Sequence, residues 1–311
     1  MSHVAAFLQD IREHPDDDAP RLIFSDWLEE HRDPSGPFIR TQCQLAALAD
    51  DDRRRRRLER REARLLERYQ ERWLAVLTRP GLEPRFRRGF LAEAWPAGQV
   101  FWLTIDDFVD RPESWWCAAL LPEIGLCNHT PVGDQLERLA DSPYLRFVSA
   151  VRLDGAGVTS QGLKALAVSP YAGGIRVLQL GGNQFGASAM ASLSATRALR
   201  SMTSLGLSDN QLGNLGAEAL ARCDGWPSLN SLDLSRNGIG DAGIRALAGS
   251  RHLAGLTELN VRANPFSDEG ARALAGSPYL GRVKTLRLRG IGQGRRCREI
   301  LTARFGPTVH L

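Results

Sequence analysis

Arginine side chains cluster near the C-terminal end of a series of short apolar segments in this 311-residue chain. Arg262 follows Asn260 by two residues, and Arg287 and Arg289 lie on either side of Leu288. A guanidinium group is planar and permanently charged, and its paired N–H groups suit carboxylates and phosphates. The three arginines therefore have the chemistry to bind an acidic segment of a partner molecule.

Other reactive residue types show no spacing that is typical of an active site. The six histidines form neither H-x-x-E-H nor H-E-x-x-H, and the chain contains neither G-x-S-x-G nor G-x-x-x-x-G-K-[ST]. The acidic run from Asp16 to Asp18 lacks the glycine and the glutamate that a calcium loop needs at its sixth and twelfth positions. The sequence thus predicts a protein that is not an enzyme and holds no metal or cofactor.

A repeat with a period of 27, the step from Leu205 to Leu232, determines where the arginines lie. Pairs of apolar residues recur at this interval without insertion or deletion, and a third apolar position keeps the same register. Such a period is typical of a solenoid, in which each repeat buries its apolar face against its neighbours. The pairs begin at Ile124, Val151, Leu178, Leu205, Leu232, Leu259 and Leu286.

Each repeat is predicted to contain a strand, a tight turn and a helix. Leu205 and Leu207 alternate with small residues, as in a strand with one buried face. Good helix formers follow at 217–221. We expect parallel strands to line a concave sheet and the helices to form the convex side. The position at which a helix N-cap is expected holds Ser160, Asn214, Asp241 and Asp268.

An asparagine ends each of the central strands. A carboxamide offers two donors and one acceptor, so a stack of them can bond the backbone groups of adjacent turns that water does not reach. We therefore interpret these residues as a structural ladder rather than as a ligand site. The ladder consists of Asn183, Asn210, Asn237 and Asn264.

The segment M-T-S-L-G-L-S-D-N-Q-L at 202–212 resembles the leucine-rich repeat pattern L-x-x-L-x-L-x-x-N-x-L. The repeats that begin at Leu229 and Leu256 match it almost as well. The length of the repeat and its Gly/Ala-rich helices are similar to the ribonuclease-inhibitor type of leucine-rich repeat. The resemblance covers roughly residues 121–305. It implies an α/β leucine-rich repeat solenoid of about seven strand-turn-helix units with a parallel concave sheet.

Residues 1–80 contain four amphipathic segments at helical spacing, so a small all-α bundle is predicted to precede the solenoid. The predicted domains are this bundle at 1–80, a linker and N-terminal cap at 81–120, and the solenoid with its C-terminal cap at 121–311.

Within the bundle, F-L-x-x-I at 7–11, P-D-D-D-A-P-R-L-I-F-S-D-W-L-E-E at 15–30 and F-I-R-x-Q-C at 38–43 resemble the bacterial repeat-companion domain. That family precedes repeat arrays, so the resemblance, which covers residues 4–50, implies an adaptor-like bacterial protein; it indicates an architecture and a context and implies no particular activity.

The segment at 53–88 is strongly basic, with 14 arginines against five glutamates. A basic stripe is one form of nucleic-acid interface. Four of the glutamates, however, are interleaved with arginines at helical spacing, which favours a solvated, salt-bridged face. Nucleic-acid binding by the helix at 53–72 therefore stays an alternative, and so does binding of an acidic protein partner by the same helix.

Composition favours an ordinary water-soluble protein, because 43% of the residues are hydrophobic, 24% are charged, and no apolar run is long enough to span a membrane. The five cysteines form no C-x-x-C pair and the N-terminus shows no signal-peptide pattern, so we expect a cytoplasmic protein with reduced thiols.

These observations together predict a non-enzymatic protein-interaction module or adaptor that binds a protein partner on its concave face. The alternatives are the nucleic-acid binder described above and a specific inhibitor or regulator of a partner enzyme. The candidate contact residues occupy outward strand positions and are Arg152, Asp154, Asp233, Glu258, Asn260, Arg262, Arg287 and Arg289.

Overall fold

The computed structural model describes residues 3–73, 85–91, 101–110, 124–127, 132, 134–194, 198–288, 295–306 and 309–310. Two compact units divide the chain, Met1–Ile124 and Gly125–Leu311. Most of the predicted linker and cap at 81–120 lies outside the described residues. No helix in the described ranges is both long and apolar enough to cross a membrane.

Helices dominate the first unit, as the amphipathic segments predict. The helices are α1 (His3–Glu13), α2 (Ala19–Glu30), α3 (Ser35–Ala46), α4 (Arg55–Trp73) and α5 (Ile105–Asp110). The strands are β1 (Phe86–Arg87), β2 (Phe90–Leu91) and β3 (Phe101–Leu103). Strands β1 and β2 pair antiparallel as a short hairpin.

Aromatic side chains fill the core of the first unit. The rings of Phe38 and Trp73 lie 4.7 Å apart between centroids, and those of Phe7 and Phe24 lie 5.3 Å apart. Such pairs add to the stabilisation that each ring gains by leaving water. Helix α4 takes part mainly through its C-terminal end, because Trp73 is the one fully buried residue of this helix.

Charged and polar residues of the motif that resembles the repeat-companion domain bond to one another. The bonds join Arg21 to the backbone oxygens of Pro15 and Asp17, Ser25 to that of Gly36, and Arg40 to the carboxylates of Asp26 and Glu29. Helices α2 and α3 also approach closely at Gly36, where a Cβ atom would lie 2.7 Å from the backbone oxygen of Ser25. These contacts explain the motif as a structural element of the bundle.

Strands and helices alternate through the second unit. The strands are β4 (Ile124–Cys127), β5 (Val148–Arg152), β6 (Val177–Gln179), β7 (Ser204–Gly206), β8 (Ser231–Asp233), β9 (Glu258–Asn260), β10 (Thr285–Arg287) and β11 (Val309–His310). The helices are α6 (Gln135–Asp141), α7 (Ser160–Val168), α8 (Ala187–Ser194), α9 (Gly213–Ala221), α10 (Asp241–Ala248), α11 (Asp268–Ala275) and α12 (Arg295–Phe305).

Strands β4 to β11 lie in chain order in one sheet. Neighbouring strands from β5 to β10 pair in parallel with a register shift of one whole repeat, so that Leu178 lies beside Leu205 and Leu205 beside Leu232. The predicted α/β solenoid of about seven strand-turn-helix repeats behind an N-terminal group of helices is therefore confirmed. Strand β11 adds a further parallel strand beside β10, which the repeat does not predict.

The core of the second unit consists of the apolar residues that define the repeat. Burying a leucine side chain contributes about 1.5–3 kcal/mol, and every repeat adds the same set. The middle residues of strands β6 to β10 are between 0% and 2% exposed; they are Leu178, Leu205, Leu232, Leu259 and Leu286.

The ladder asparagines bond the backbone of two repeats at once. The Nδ2 atom of Asn210 donates to the backbone oxygens of Leu180 and Leu207, both at 3.0 Å. Its Oδ1 atom accepts from the backbone N–H groups of Asn183 (3.1 Å) and Phe185 (2.9 Å). Corresponding bonds are made by Asn183, Asn237 and Asn264. The ladder is incomplete at Asn237, whose buried Oδ1 atom has no hydrogen-bond partner among the described residues.

The predicted N-cap position is wrong, because the residues that occupy it lie inside the helices. Helix α7 is capped by Thr159 and helix α11 by Ser267, whose hydroxyl oxygens accept from the N–H groups of Gly162 and Glu269. Ser160, Asp241 and Asp268 are the first residues of their helices, and Asn214 is the second of its own.

Two of these residues instead bond the start of the helix in the next repeat. The Oδ1 atom of Asn214 accepts from the N–H groups of Gly240 (2.8 Å) and Gly243 (3.0 Å). One repeat later, the Oδ1 atom of Asp241 accepts from the N–H groups of Ser267 (2.8 Å) and Gly270 (2.8 Å). The first N–H groups of a helix lack partners within the helix, so each of these repeats completes the helix that follows it.

The C-terminal helix ends are completed in the opposite direction. A serine hydroxyl group that follows the helix of one repeat donates to the last carbonyl group of the helix in the preceding repeat. Ser250 donates to Ala221 (2.6 Å) and Ser277 to Ala248 (2.5 Å). Cys223 occupies the same register position and its Sγ lies 3.2 Å from the backbone oxygen of Ser194. Burial raises the pKa of the Cys223 thiol to about 11, so the thiol stays protonated and can donate at neutral pH.

We expect Asn210→Ala to lower the free energy of unfolding by about 1–3 kcal/mol, because buried backbone groups on both sides lose their partners. Asn237→Ala should cost less, since the Oδ1 atom of Asn237 accepts no hydrogen bond from the described residues. Urea unfolding of both variants measures the difference. Asn230→Ala, at an exposed position outside the ladder, is the matched control. Equal free energies of unfolding in urea for Asn210→Ala and the control would contradict the ladder.

The carboxylate of Asp241 should make stability depend on pH. Partial burial opposes its ionisation, but hydrogen bonds from Ser267 and Gly270 outweigh this and hold the pKa of Asp241 below its usual value. A lowered native pKa adds stability above the unfolded pKa of about 3.9, and this is lost as pH falls through the native pKa. Asp241→Asn keeps an acceptor but cannot titrate.

Urea unfolding of Asp241→Asn between neutral pH and the acid limit should therefore show a weaker loss of stability than that of the wild-type protein. Asp224→Asn changes an exposed carboxylate one repeat earlier and is the control. The two variants would show the same pH dependence if Asp241 had no part in bonding the next helix.

Candidate functional site

A shallow groove lies on the outward side of the sheet, across strands β6 to β10, and has a volume of about 190 Å³. Small and neutral side chains occupy its centre and charged ones its C-terminal end. Its lining includes Gln179, Ser204, Ser231, Asp233, Glu258 and Arg287. We call this surface the sheet groove.

The depth of the sheet groove comes from small residues on β7. Ser204 and Gly206 are the outward residues of this strand, so little side-chain volume covers the sheet there. Gln179 of the neighbouring strand folds over the glycine, since a Cβ atom on Gly206 would lie 1.7 Å from the Oε1 atom of Gln179. The amide group of Gln179 is thereby held within reach of Ser204, at 3.5 Å from its Oγ atom.

Two carboxylates in the sheet groove are held by hydrogen bonds from their neighbours. Asp233 accepts from the Nδ2 atom of Asn260 (2.8 Å) and from the N–H and hydroxyl groups of Ser235 (2.8 and 2.7 Å). Glu258 accepts from the hydroxyl group of Ser231 at 3.3 Å. Both carboxylates therefore present their remaining lone pairs in restricted directions, as acceptors for a ligand.

One of the predicted arginines, Arg287, lines the C-terminal end of the sheet groove, and Arg262 follows the neighbouring strand. Arg287 is exposed on β10, directly beside Asn260 of β9, and Arg262 follows β9 by two residues and is also exposed. In the described ranges, neither guanidinium forms an ion pair within 4.0 Å. Arg289 lies outside the described residues.

The remaining predicted contact residues lie at the other end of the sheet. Arg152 ends β5, five strand spacings or about 24 Å from β10. Asp154 has a structural contact, because its Oδ1 atom accepts from the backbone N–H of Gly181 at 2.7 Å. The structure thus brings Asp233, Glu258, Asn260 and Arg287 together and separates Arg152 and Asp154 from them.

Sequence reasoning missed Gln179, Ser204, Ser231 and Gly206 as parts of the groove. All four occupy outward strand positions, so the repeat register itself was the available signal. Their uncharged or absent side chains gave no reason to select them. Among the described residues, no group of three or more His, Cys, Asp and Glu side chains is placed to hold a metal ion.

Substitutions of two glycines should distinguish a glycine that lies under a movable side chain in the groove from one that is packed against backbone atoms. A Cβ atom on Gly206 meets the movable end of Gln179, whereas one on Gly174 lies 2.9 Å from the backbone oxygen of Arg146 and 3.2 Å from that of Val148. We expect Gly206→Ala to change the unfolding free energy by less than about 1 kcal/mol and Gly174→Ala to cost about 1–3 kcal/mol. Thermal melting distinguishes them, and similar losses would contradict the described groove.

Comparison with known proteins supports the repeat. Residues 198–221, 227–248 and 254–275 match the family model described as "Leucine Rich repeat". A solved structure titled "Crystal structure of TLR13-ssRNA13 complex" is 19% identical, with a TM-score of 0.35, over 61% of this chain and 29% of that chain, so this chain spans less than a third of that protein. No curated protein matches the chain. The resemblances to the ribonuclease-inhibitor type and to the bacterial repeat-companion domain stay predictions. The chain contains leucine-rich repeats.

Proposed function

We propose that this chain is a non-enzymatic protein-interaction module whose sheet groove and adjoining arginines bind an acidic segment of a partner protein. The observation that carries the proposal is the pair Arg262 and Arg287, exposed and without carboxylate partners in the described ranges, beside a groove of fixed acceptors. Arginine is enriched among the residues that contribute most to protein interfaces.

Charge supports an acidic partner at this end of the sheet. Glu258 begins β9, the strand that Arg262 follows, but it forms no ion pair with Arg262 or Arg287 within the described residues. Two neighbouring guanidinium groups repel each other unless an anion is shared between them, and their planar donors fit a carboxylate. Asp233 lies two strands away from Arg287, and Asp233 and Glu258 would accept N–H groups of the bound segment.

A binding role suits the groove better than catalysis. Its lining contains no histidine or cysteine among the described residues, and its two carboxylates already accept bonds from Asn260, Ser231 and Ser235. General acid–base or nucleophilic chemistry needs a group whose protonation or nucleophilicity is tuned for the reaction.

An inhibitor or regulator of an enzyme would use the same face, so it is a particular case of this proposal. We also propose a cytoplasmic location, because Cys43, Cys127, Cys223 and Cys297 are free thiols.

Charge reversal tests the proposed site. Arg262→Glu with Arg287→Glu should lower the association rate of the bound partner by about tenfold at low salt and leave the fold intact, because charges at an interface rim act chiefly on association. Partners are first captured by the wild-type protein from an extract of the native cells, purified, and then measured by surface plasmon resonance at increasing salt concentrations.

Arg200→Glu with Arg272→Glu changes two arginines that lie outside the sheet groove, and it should capture and bind the same proteins as the wild type. Full retention of every partner by the Arg262→Glu/Arg287→Glu variant would exclude this end of the sheet as the binding site. A captured partner that contacts the chain without an acidic segment would exclude the proposed chemistry.

A further inference from the structure

A second concave surface occurs in the first unit, between the end of α3 and the first half of α4, with a volume of about 810 Å³. Four exposed arginines line it, Arg54, Arg57, Arg61 and Arg64, together with the half-buried Leu48 and Leu58. We call it the basic groove. It combines positive charge with apolar surface and has no role in the binding proposed for the sheet.

The arginines of the basic groove lie on one side of the helix. They follow one another at steps of three, four and three residues, so Arg57, Arg61 and Arg64 form a row along α4, and Arg54 lies directly before its first residue. The helix from Arg57 to Arg64 corresponds to about 10 Å, so the row extends over about two turns. A rod-shaped ligand that lies along α4 can therefore reach all four.

Most of this charge has no carboxylate partner within the described residues. Arg54 bonds Asp52 at 2.8 Å. Arg57 and Arg61 form no ion pair, and the Nε atom of Arg64 donates to the backbone oxygen of Arg60. Of the glutamates at helical spacing, Glu59 pairs with Arg55 (3.2 Å).

Glu62 is bonded instead by the side-chain amide of Gln42 (2.7 Å). Among the described residues, Glu59 is thus the one interleaved glutamate of α4 that pairs with an arginine, and the predicted salt-bridged face is reduced to the pair of Arg55 and Glu59.

Helix α4 also keeps apolar surface that the first unit does not cover. Leu58, Leu65, Leu66 and Tyr69 are all half-buried, and only Trp73 is fully buried. Leu48 is half-buried on the opposite side of the basic groove. An amphipathic helix normally buries its apolar stripe, so this surface suits an apolar face of a partner.

The mixture of groups favours a protein helix over nucleic acid. Single-stranded nucleic acid is bound by cations along its backbone and by aromatic rings on which its bases stack. The lining of the basic groove contains leucine, alanine and glutamine beside its arginines, and no aromatic residue among those described. An acidic amphipathic helix matches both parts, with carboxylates for the arginines and leucines for the apolar floor.

We propose that the basic groove binds an acidic amphipathic helix of a partner protein. In the bound state, apolar side chains of that helix contact Leu48 and Leu58, and carboxylates at three- and four-residue spacing pair with Arg57, Arg61 and Arg64. The chain then carries two protein-binding surfaces, one in each compact unit.

The test uses the full chain and two fluorescent peptides of identical composition, each of about 18 residues, which is long enough to form five turns. One peptide places leucine on one helical face and glutamate beside it, and the other is a scrambled sequence. Binding is measured by fluorescence anisotropy at about 0.15 M salt, because salt at this concentration screens long-range attraction between the exposed charges of the peptide and the protein. A single-stranded RNA of similar charge is measured in parallel.

We expect the amphipathic peptide to bind at least about tenfold more tightly than the scrambled peptide, because only the former buries apolar surface. Arg57→Glu with Arg61→Glu should weaken its binding by about tenfold or more. Arg56→Glu with Arg60→Glu makes the same charge change on exposed residues outside the basic groove and should alter binding by less than about threefold. Thermal melting shows whether each variant is folded, and Arg57→Gln with Arg61→Gln replaces the reversal if it is not.

Three results would overturn the proposal. Equal binding of the two peptides, or equal losses in both pairs of variants, would mean that the surface attracts negative charge without recognising a helix. Tighter binding of the RNA than of the amphipathic peptide, with the loss confined to Arg57→Glu/Arg61→Glu, would make the basic groove a nucleic-acid site instead.

Discussion

Backbone groups at the turns and helix ends of the second unit find their hydrogen-bond partners on side chains of adjacent repeats. Asn210 bonds its own turn and that of the preceding repeat. Asn214 bonds the start of the helix in the next repeat, and Ser250 bonds the end of the helix in the preceding repeat. A buried polar group without a partner costs about as much as a whole hydrogen bond contributes. No repeat is therefore stable alone, and the constant length of the repeat keeps each donor opposite its acceptor.

Because the core and the bonds between repeats are formed by other residues, the outward strand positions can differ from repeat to repeat. Leu205 and Leu232 are needed for the core, while Ser204, Gly206 and Asp233 beside them have no part in it. The sheet groove can therefore carry binding chemistry without loss of stability. In the first unit Arg40 of α3 pairs with Asp26 and Glu29 of α2, whereas Arg57 and Arg61 of α4 form no ion pair within the described residues.

The strand positions and the order of the sheet could be predicted from the sequence because the alternation within a strand and the period of the repeat are both carried by apolar residues. The helix caps could not, since a shift of one residue separates Thr159 from Ser160, and the acceptor role of Asp241 toward Gly270 exists only once two repeats are stacked. The concave face and four residues of the sheet groove were predicted, but the depth of the groove was not, for a related reason. An absent side chain, as at Gly206, gives no chemical signal until its neighbours are known.

The backbone φ angles of the turns follow the same register, with positive values at Gly155, Gly182, Asp209, Arg236 and Ala263. Equivalent bonds likewise join residues 27, 29 or 30 positions apart throughout the array. Excision of one period, such as 206–232, would join Leu205 to Asp233 and leave every remaining turn the neighbour that it requires. Recombination between repeats could thus shorten or lengthen the sheet in steps of about 4.8 Å, one strand at a time. The number of repeats can therefore change by whole repeats during evolution. A gain or loss of a single residue, by contrast, would interrupt all three sets of bonds at once.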